Sequence, residues 1–179
     1  MVKHNISSIK LRRIQWKELL KITVQYKQGI QQAFEFLKDS KDFLEFKRMK
    51  KSIDEEIYLG RLKSLINMAA VYFYSLHEGF TRDFFKEVIS YDGGMSGSKF
   101  DEKYDRFHDI IVLMRRRYHI RLPKEIFDII DKLRMARNSI VHGMRDARPE
   151  FKIIELCYET IMNYFDFVQF EMSRKLHLV

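Results

Sequence analysis

An all-α fold, an antiparallel bundle of four to five main helices, is what this sequence predicts, and three observations carry that. Breakers are sparse: 7 glycines and 2 prolines in 179 residues are too few for a many-turned β fold. Apolar residues recur at three- and four-residue steps along most of the chain, which is the helical period. The composition, 46% hydrophobic and 14% aromatic, can bury a real core at this length. No internal repeat, low-complexity tract or linker divides the chain. Residues 1–179 are therefore expected to form a single domain, with 1–50 as an N-terminal helical arm and 52–179 as the core bundle.

Each element has its own signal. Leu11, Ile14, Leu19, Ile22, Tyr26, Ile30, Phe34 and Leu37 set the apolar stripe of a first helix. The polar-rich piece "KDFLEFKRMKKS" reads as a short helix or an ordered loop. Its KRMKK run suits either a solvated face or contact with phosphate. Ser52 with Glu55 three residues later makes a capping-box pattern. It opens a long helix whose centre, around Ala69 and Ala70, is almost unbroken apolar. "YDGGMSGSKFD" holds three of the seven glycines and reads as a loop. A helix ending in Arg115, Arg116 and Arg117 comes after it. The next starts near Pro123, keeps its stripe through Ile126, Ile130, Leu133 and Ile140, and stops at Gly143. A basic connection, "MRDAR", leads to a last helix from Pro149.

Charge and cysteine usage narrow the setting. A net charge of +8 and a pI near 9.5 favour an anionic partner such as nucleic acid. Cys157 is the single cysteine, so no disulfide forms within the chain, which suits a reducing compartment. The N-terminal "MVKHNISSIKLRRIQW" lacks the apolar run of a secretory signal, and no stretch is apolar for long enough to span a bilayer. A cytoplasmic protein with no membrane contact is expected.

Most chemistries find little support. None of the six histidines (His4, His77, His108, His119, His142 and His177) pairs with another at helical ligand spacing, and neither CxxC nor HExxH occurs. No metal or other cofactor is expected. "DGGMSGSK" lacks the spacing of a phosphate-binding loop. Cys157 lies in an apolar helical stretch and reads as buried and inert.

One segment stands out. "KLRMARNSIVHGM", residues 132–144, sets Arg134, Arg137, Asn138 and His142 into an otherwise apolar helix just before its glycine stop. Five residues along a helix turn through about 500°, so the Arg137 and His142 side chains diverge by about 140°. A histidine at a helix end can exchange a proton near neutral pH. Arginine offers a permanently charged fork for phosphate, and asparagine can orient either. These are the groups needed to move a proton beside a phosphodiester. The bland reading stays beside it, with His142 capping the helix and Arg137 pairing with an acid.

Arg-Asn-x-x-x-His in this setting, with glycine after the histidine, resembles the HEPN superfamily (higher eukaryotes and prokaryotes nucleotide-binding). Arg137, Asn138 and His142 match its motif residue by residue. The long helix around "AAVYFYSLHEGFTRDFF" is similar to an earlier helix of prokaryotic HEPN families. The similarity in helix order spans roughly 55–175. It implies an all-α homodimer that brings two Arg–His motifs to a shared cleft. It also implies a metal-independent endoribonuclease that uses the RNA 2′-hydroxyl, with a place in toxin–antitoxin biology or antiphage defence and an antitoxin or defence-system protein as a further partner. On that reading Arg137, His142 and Asn138 are catalytic, and Arg134 supports them. Arg145, Arg115, Arg116 and Arg117 contact RNA. Glu78 corresponds to an acidic residue facing the motif; it could pair with Arg137, or with Arg82 four residues on. One departure is Met144, where a subgroup of HEPN toxins has tyrosine. A second functional class remains: a non-catalytic basic helical module that binds nucleic acid or a protein partner.

Overall fold

Residues 2–92, 96–104, 106–143 and 150–176 are described by the structure, a computed structural model, with side chains from Trp16 onward. Among them are six helices and no strand: α1 (Val2–Met49), α2 (Glu55–Tyr91), α3 (Gly97–Lys103), α4 (Phe107–Arg117), α5 (Lys124–Val141) and α6 (Phe151–Lys175). The fold is the all-α bundle that the sparse breakers and the helical period predict. Arg145 and Pro149 lie outside the described residues, as does the rest of "MRDAR".

Three local expectations change. The polar piece after residue 40 is neither a separate helix nor a loop, because α1 continues to Met49. Leu37 and Leu44 are both buried, seven residues apart on one face, so the apolar stripe carries the helix past the charges. Ser52 does not cap α2. Its amide and its hydroxyl both donate to the Lys47 carbonyl, while the Lys51 amide donates to the Arg48 carbonyl. Lys51 is left-handed at φ 52°. Those bonds are a Schellman stop for α1, and α2 begins only at Glu55. The expected loop after Tyr91 contains a short helix, α3, held by the fully buried Phe100.

Tertiary contacts divide the chain into two compact units that cut across the expected arm and core. The first is 1–27, 78–123 and 163–179; the second is 28–77 and 124–162. Helices α1, α2 and α6 each give a segment to both.

In the first unit, Phe80, Phe84 and Phe85 of α2 are buried with Tyr164 and Phe165 of α6. The Phe80 and Phe165 ring centroids are 4.2 Å apart. Two hydroxyls of this core pair with each other, Thr81 Oγ1 lying 2.9 Å from Tyr164 Oη. Gly79 earns its place: a Cβ there would come within 2.9 Å of the Tyr26 hydroxyl oxygen. Its absence lets Tyr26 reach across and donate to Asp83 Oδ2 at 2.6 Å. In the second unit, Ile30, Ala70, Phe73 and Ile154 are fully buried. Phe34 stacks on Tyr158 with centroids 4.1 Å apart and rings 10° from parallel. Cys157 is buried there, its thiol pushed up to about 11 by burial, in keeping with an inert side chain.

Candidate active site

The C-terminal end of α5, in the second unit, holds the polar cluster. Ile130 and Leu133 are its buried anchors. Beyond them burial declines, until Val141, His142 and Gly143 are exposed. Gly143 stops the helix as expected, left-handed at φ +67° with its amide on the Ile140 carbonyl at 3.2 Å. That end therefore presents His142 to solvent, one residue past the helix proper.

Asn138 links the other two groups. Its side-chain oxygen accepts from Arg137 Nη1 at 2.9 Å, and its backbone carbonyl accepts from the His142 amide at 2.9 Å. The guanidinium carbon of Arg137 lies 5.9 Å from the centroid of the buried Tyr74 ring on α2, within cation–π range. Arg137 Nε is buried, with no hydrogen-bond partner among the described residues. The arginine is thus partly buried and steered from both sides, by an amide and by an aromatic face. Nη1 is occupied by Asn138. Among the described residues, His142 is held only through its backbone. The arrangement offers a fixed positive charge and an exposed imidazole at the same helix end.

The other predicted residues fall differently. Arg134 forks onto Asp131, with Nη2 at 2.7 Å and Nε at 2.8 Å from Oδ1, so it is tethered within α5. Arg115, Arg116 and Arg117 are exposed at the end of α4, in the first unit. Arg117 is bound to Asp92, with Nη2 at 2.9 Å, while Arg115 and Arg116 project from the last turn. Glu78 is partly buried and also belongs to the first unit. His77 is fully buried, and desolvation holds it neutral by pushing its pKa down to about 3; it is a core residue.

Sequence reasoning missed Tyr74 and Asp131. Asp131 had a signal, since an acid three residues before Arg134 on a helix is within reach. Tyr74 had none, because its contact with Arg137 spans 63 positions between α2 and α5. Among the described residues no group of three His, Cys, Asp or Glu is placed to hold a metal ion, and no helix is long and apolar enough to cross a membrane. No family model, curated protein or solved structure matches this chain.

Proposed function

We propose that the chain is an endoribonuclease that cleaves RNA through the RNA's own 2′-hydroxyl. The observation that carries this reading is the Arg137–Asn138 side-chain pair with His142 exposed at the end of the same helix. It sets a steered guanidinium and a solvent-facing imidazole within two turns of each other. In this mechanism the 2′-oxygen attacks phosphorus and the P–O5′ bond breaks. His142 takes the 2′-proton, or gives one to the leaving 5′-oxygen. Arg137 neutralises the extra charge on the phosphorane, and Asn138 keeps the guanidinium in place. Products carry a 2′,3′-cyclic phosphate and a 5′-hydroxyl, and the reaction proceeds in EDTA. The HEPN resemblance supplies the rest of the proposal: a homodimer, and a role in toxin–antitoxin biology or antiphage defence.

A second reading has its own observation. The Arg137 fork already rests on Asn138 and Tyr74, and Arg134 on Asp131, which suits arginines that only lock a helix end in a binding module. Incubating the purified chain with end-labelled RNA separates the two. The nuclease reading expects cleavage by the wild type and none by His142→Ala, with RNA binding retained. Equal cleavage by wild type and His142→Ala would overturn it, and the absence of cleavage with binding intact favours the module.

A further inference from the structure

We infer that a second copy of this chain docks, two-fold related, into the apolar groove between α1 and α2 of the second unit, one lobe of which Gly60 lines. The groove has two lobes, about 640 and about 560 Å³, which share Phe36, Leu65 and Met68. Phe36 and Met68 are 62% and 60% exposed. An isolated helical surface does not leave such residues contiguous unless something covers them.

Gly60 makes the case that the cover is another polypeptide packed closely. It lies inside α2, where glycine is a poorer helix former than alanine. Glycines inside helices normally permit a close approach. Gly79 does so for Tyr26, but a Cβ on Gly60 would meet nothing within 4 Å. The chain's own packing gives this glycine no reason. It forms a hole in the groove floor, beside the protruding Phe43, which is also more than half exposed.

That the occupant is a second copy rests on self-complementarity, which a two-fold interface requires. The same surface carries protruding rings, Phe36 and Phe43, and the hole at Gly60. It carries Asp39 on α1 and Arg61 on α2, so each copy can offer its acid to the other's base. Charge permits the pairing, because the second unit has 15 Lys and Arg against 14 Asp and Glu. Two such faces do not repel, although the whole chain is strongly basic.

Ile140, two residues before His142, lines the same lobe. The docked copy therefore closes over the apolar flank of the Arg137–His142 end. On the ribonuclease reading this groove is the surface of the active dimer, but the docking rests on the groove and not on the motif. A chain with His142→Ala should dimerise as the wild type does.

The test is the mass of the full chain by light scattering and sedimentation, with melting temperature measured alongside. The wild type is expected as a dimer. Gly60→Ala should raise the melting temperature of the monomer, measured at high dilution, yet raise the dimer dissociation constant by ~tenfold or more. Gly60→Leu should leave a folded monomer. Asp39→Arg and Arg61→Asp should each be monomeric alone and should form a mixed dimer with each other, since an acid–base pair is then restored across the interface. A result in which the wild type stays monomeric to its solubility limit overturns the inference. So does a dimer that ignores Gly60→Leu, or charge variants that fail to pair while remaining folded. None of these readouts depends on RNA cleavage.

Discussion

The two units of this chain differ in what they leave on their surfaces. The first has 18 Lys and Arg against 11 Asp and Glu, so it carries nearly all of the net +8; the second, which holds Arg137 and His142, is almost neutral. Apolar exposure runs the other way. Among the described side chains, thirteen large hydrophobics of the second unit are exposed, against Val24 and Phe170 in the first. A basic surface suits a polyanion, and a neutral surface with uncovered rings suits a protein. The basicity of the whole sequence is therefore a poor guide to the motif itself: the excess lies mostly in residues 1–27, with seven Lys and Arg against one acid.

The largest effect should fall on the neutral unit. His142→Ala and Arg137→Ala are each expected to lower RNA cleavage by about 10²–10⁴-fold, the usual worth of a positioned proton carrier or charge stabiliser. The melting temperature of His142→Ala should stay at the wild-type value, since the residue is exposed. Retained activity in either variant would remove the reason for placing chemistry at the end of α5. A smaller effect is expected from the basic unit. Replacing Lys17 and Lys21 with glutamine should weaken RNA binding and flatten its salt dependence, by about 0.7 in the log–log slope for each lost phosphate contact to a single strand. The turnover of bound RNA should not change. Removing Lys38 and Lys41 from the neutral unit should leave the slope alone. Equal slopes in both variants would dissolve the division.

Sequence and structure agree where one short-range pattern stands unopposed. The helical period gave the all-α fold, and Gly143 gave the stop of α5, because both depend on residues a few positions apart. What stayed hidden depends on long-range contact or on two local patterns that compete. Nothing local shows that Tyr74 faces Arg137. The continuation of α1 through "KDFLEFKRMKK" was masked by its charges, although Leu37 and Leu44 share a face. Ser52 and Glu55 matched a capping box, but Ser52 belongs to the stop of α1, its amide and hydroxyl both donating to the Lys47 carbonyl, and α2 begins only at Glu55. The groove around Gly60 left one trace, a glycine inside an otherwise good helix, whose meaning requires knowing that no neighbour fills the space.

Acid offers a third way to probe the second unit. His77 is fully buried, and its pKa is pushed down to about 3 by desolvation. The unfolded chain takes up a proton near the ordinary histidine value of about 6.5, which the folded chain does not. Between those values the unfolded state binds more protons, so stability falls as pH falls. The loss is expected to approach about 1.4 kcal/mol per pH unit below the unfolded value. Denaturant titrations at pH 7 and pH 5 should show it. His77→Phe, which keeps a ring in the core but cannot titrate, should remove most of the difference. An unchanged pH dependence in that variant would assign the acid sensitivity to groups other than His77.

The smallest effect concerns the turn between α1 and α2, and it sharpens the meaning of Gly60. Lys51 is left-handed at φ 52°, at the position of the Schellman stop where glycine is the usual occupant. A side chain there costs about 1 kcal/mol through the contact of its Cβ with the following carbonyl oxygen. Lys51→Gly should relieve that, less the extra freedom that glycine gives the unfolded chain. A net gain of about 0.5 kcal/mol is expected, seen as a small rise in the denaturation midpoint without a change in slope. Gly60→Ala should also stabilise the monomer, through helix propensity. Their effects on association should differ. Lys51 does not line the groove, so Lys51→Gly should leave the dimer dissociation constant unchanged, whereas Gly60→Ala should weaken the dimer as it strengthens the fold. If both stabilising changes left association untouched, the exposed rings of the second unit would need a cover other than a second copy at Gly60.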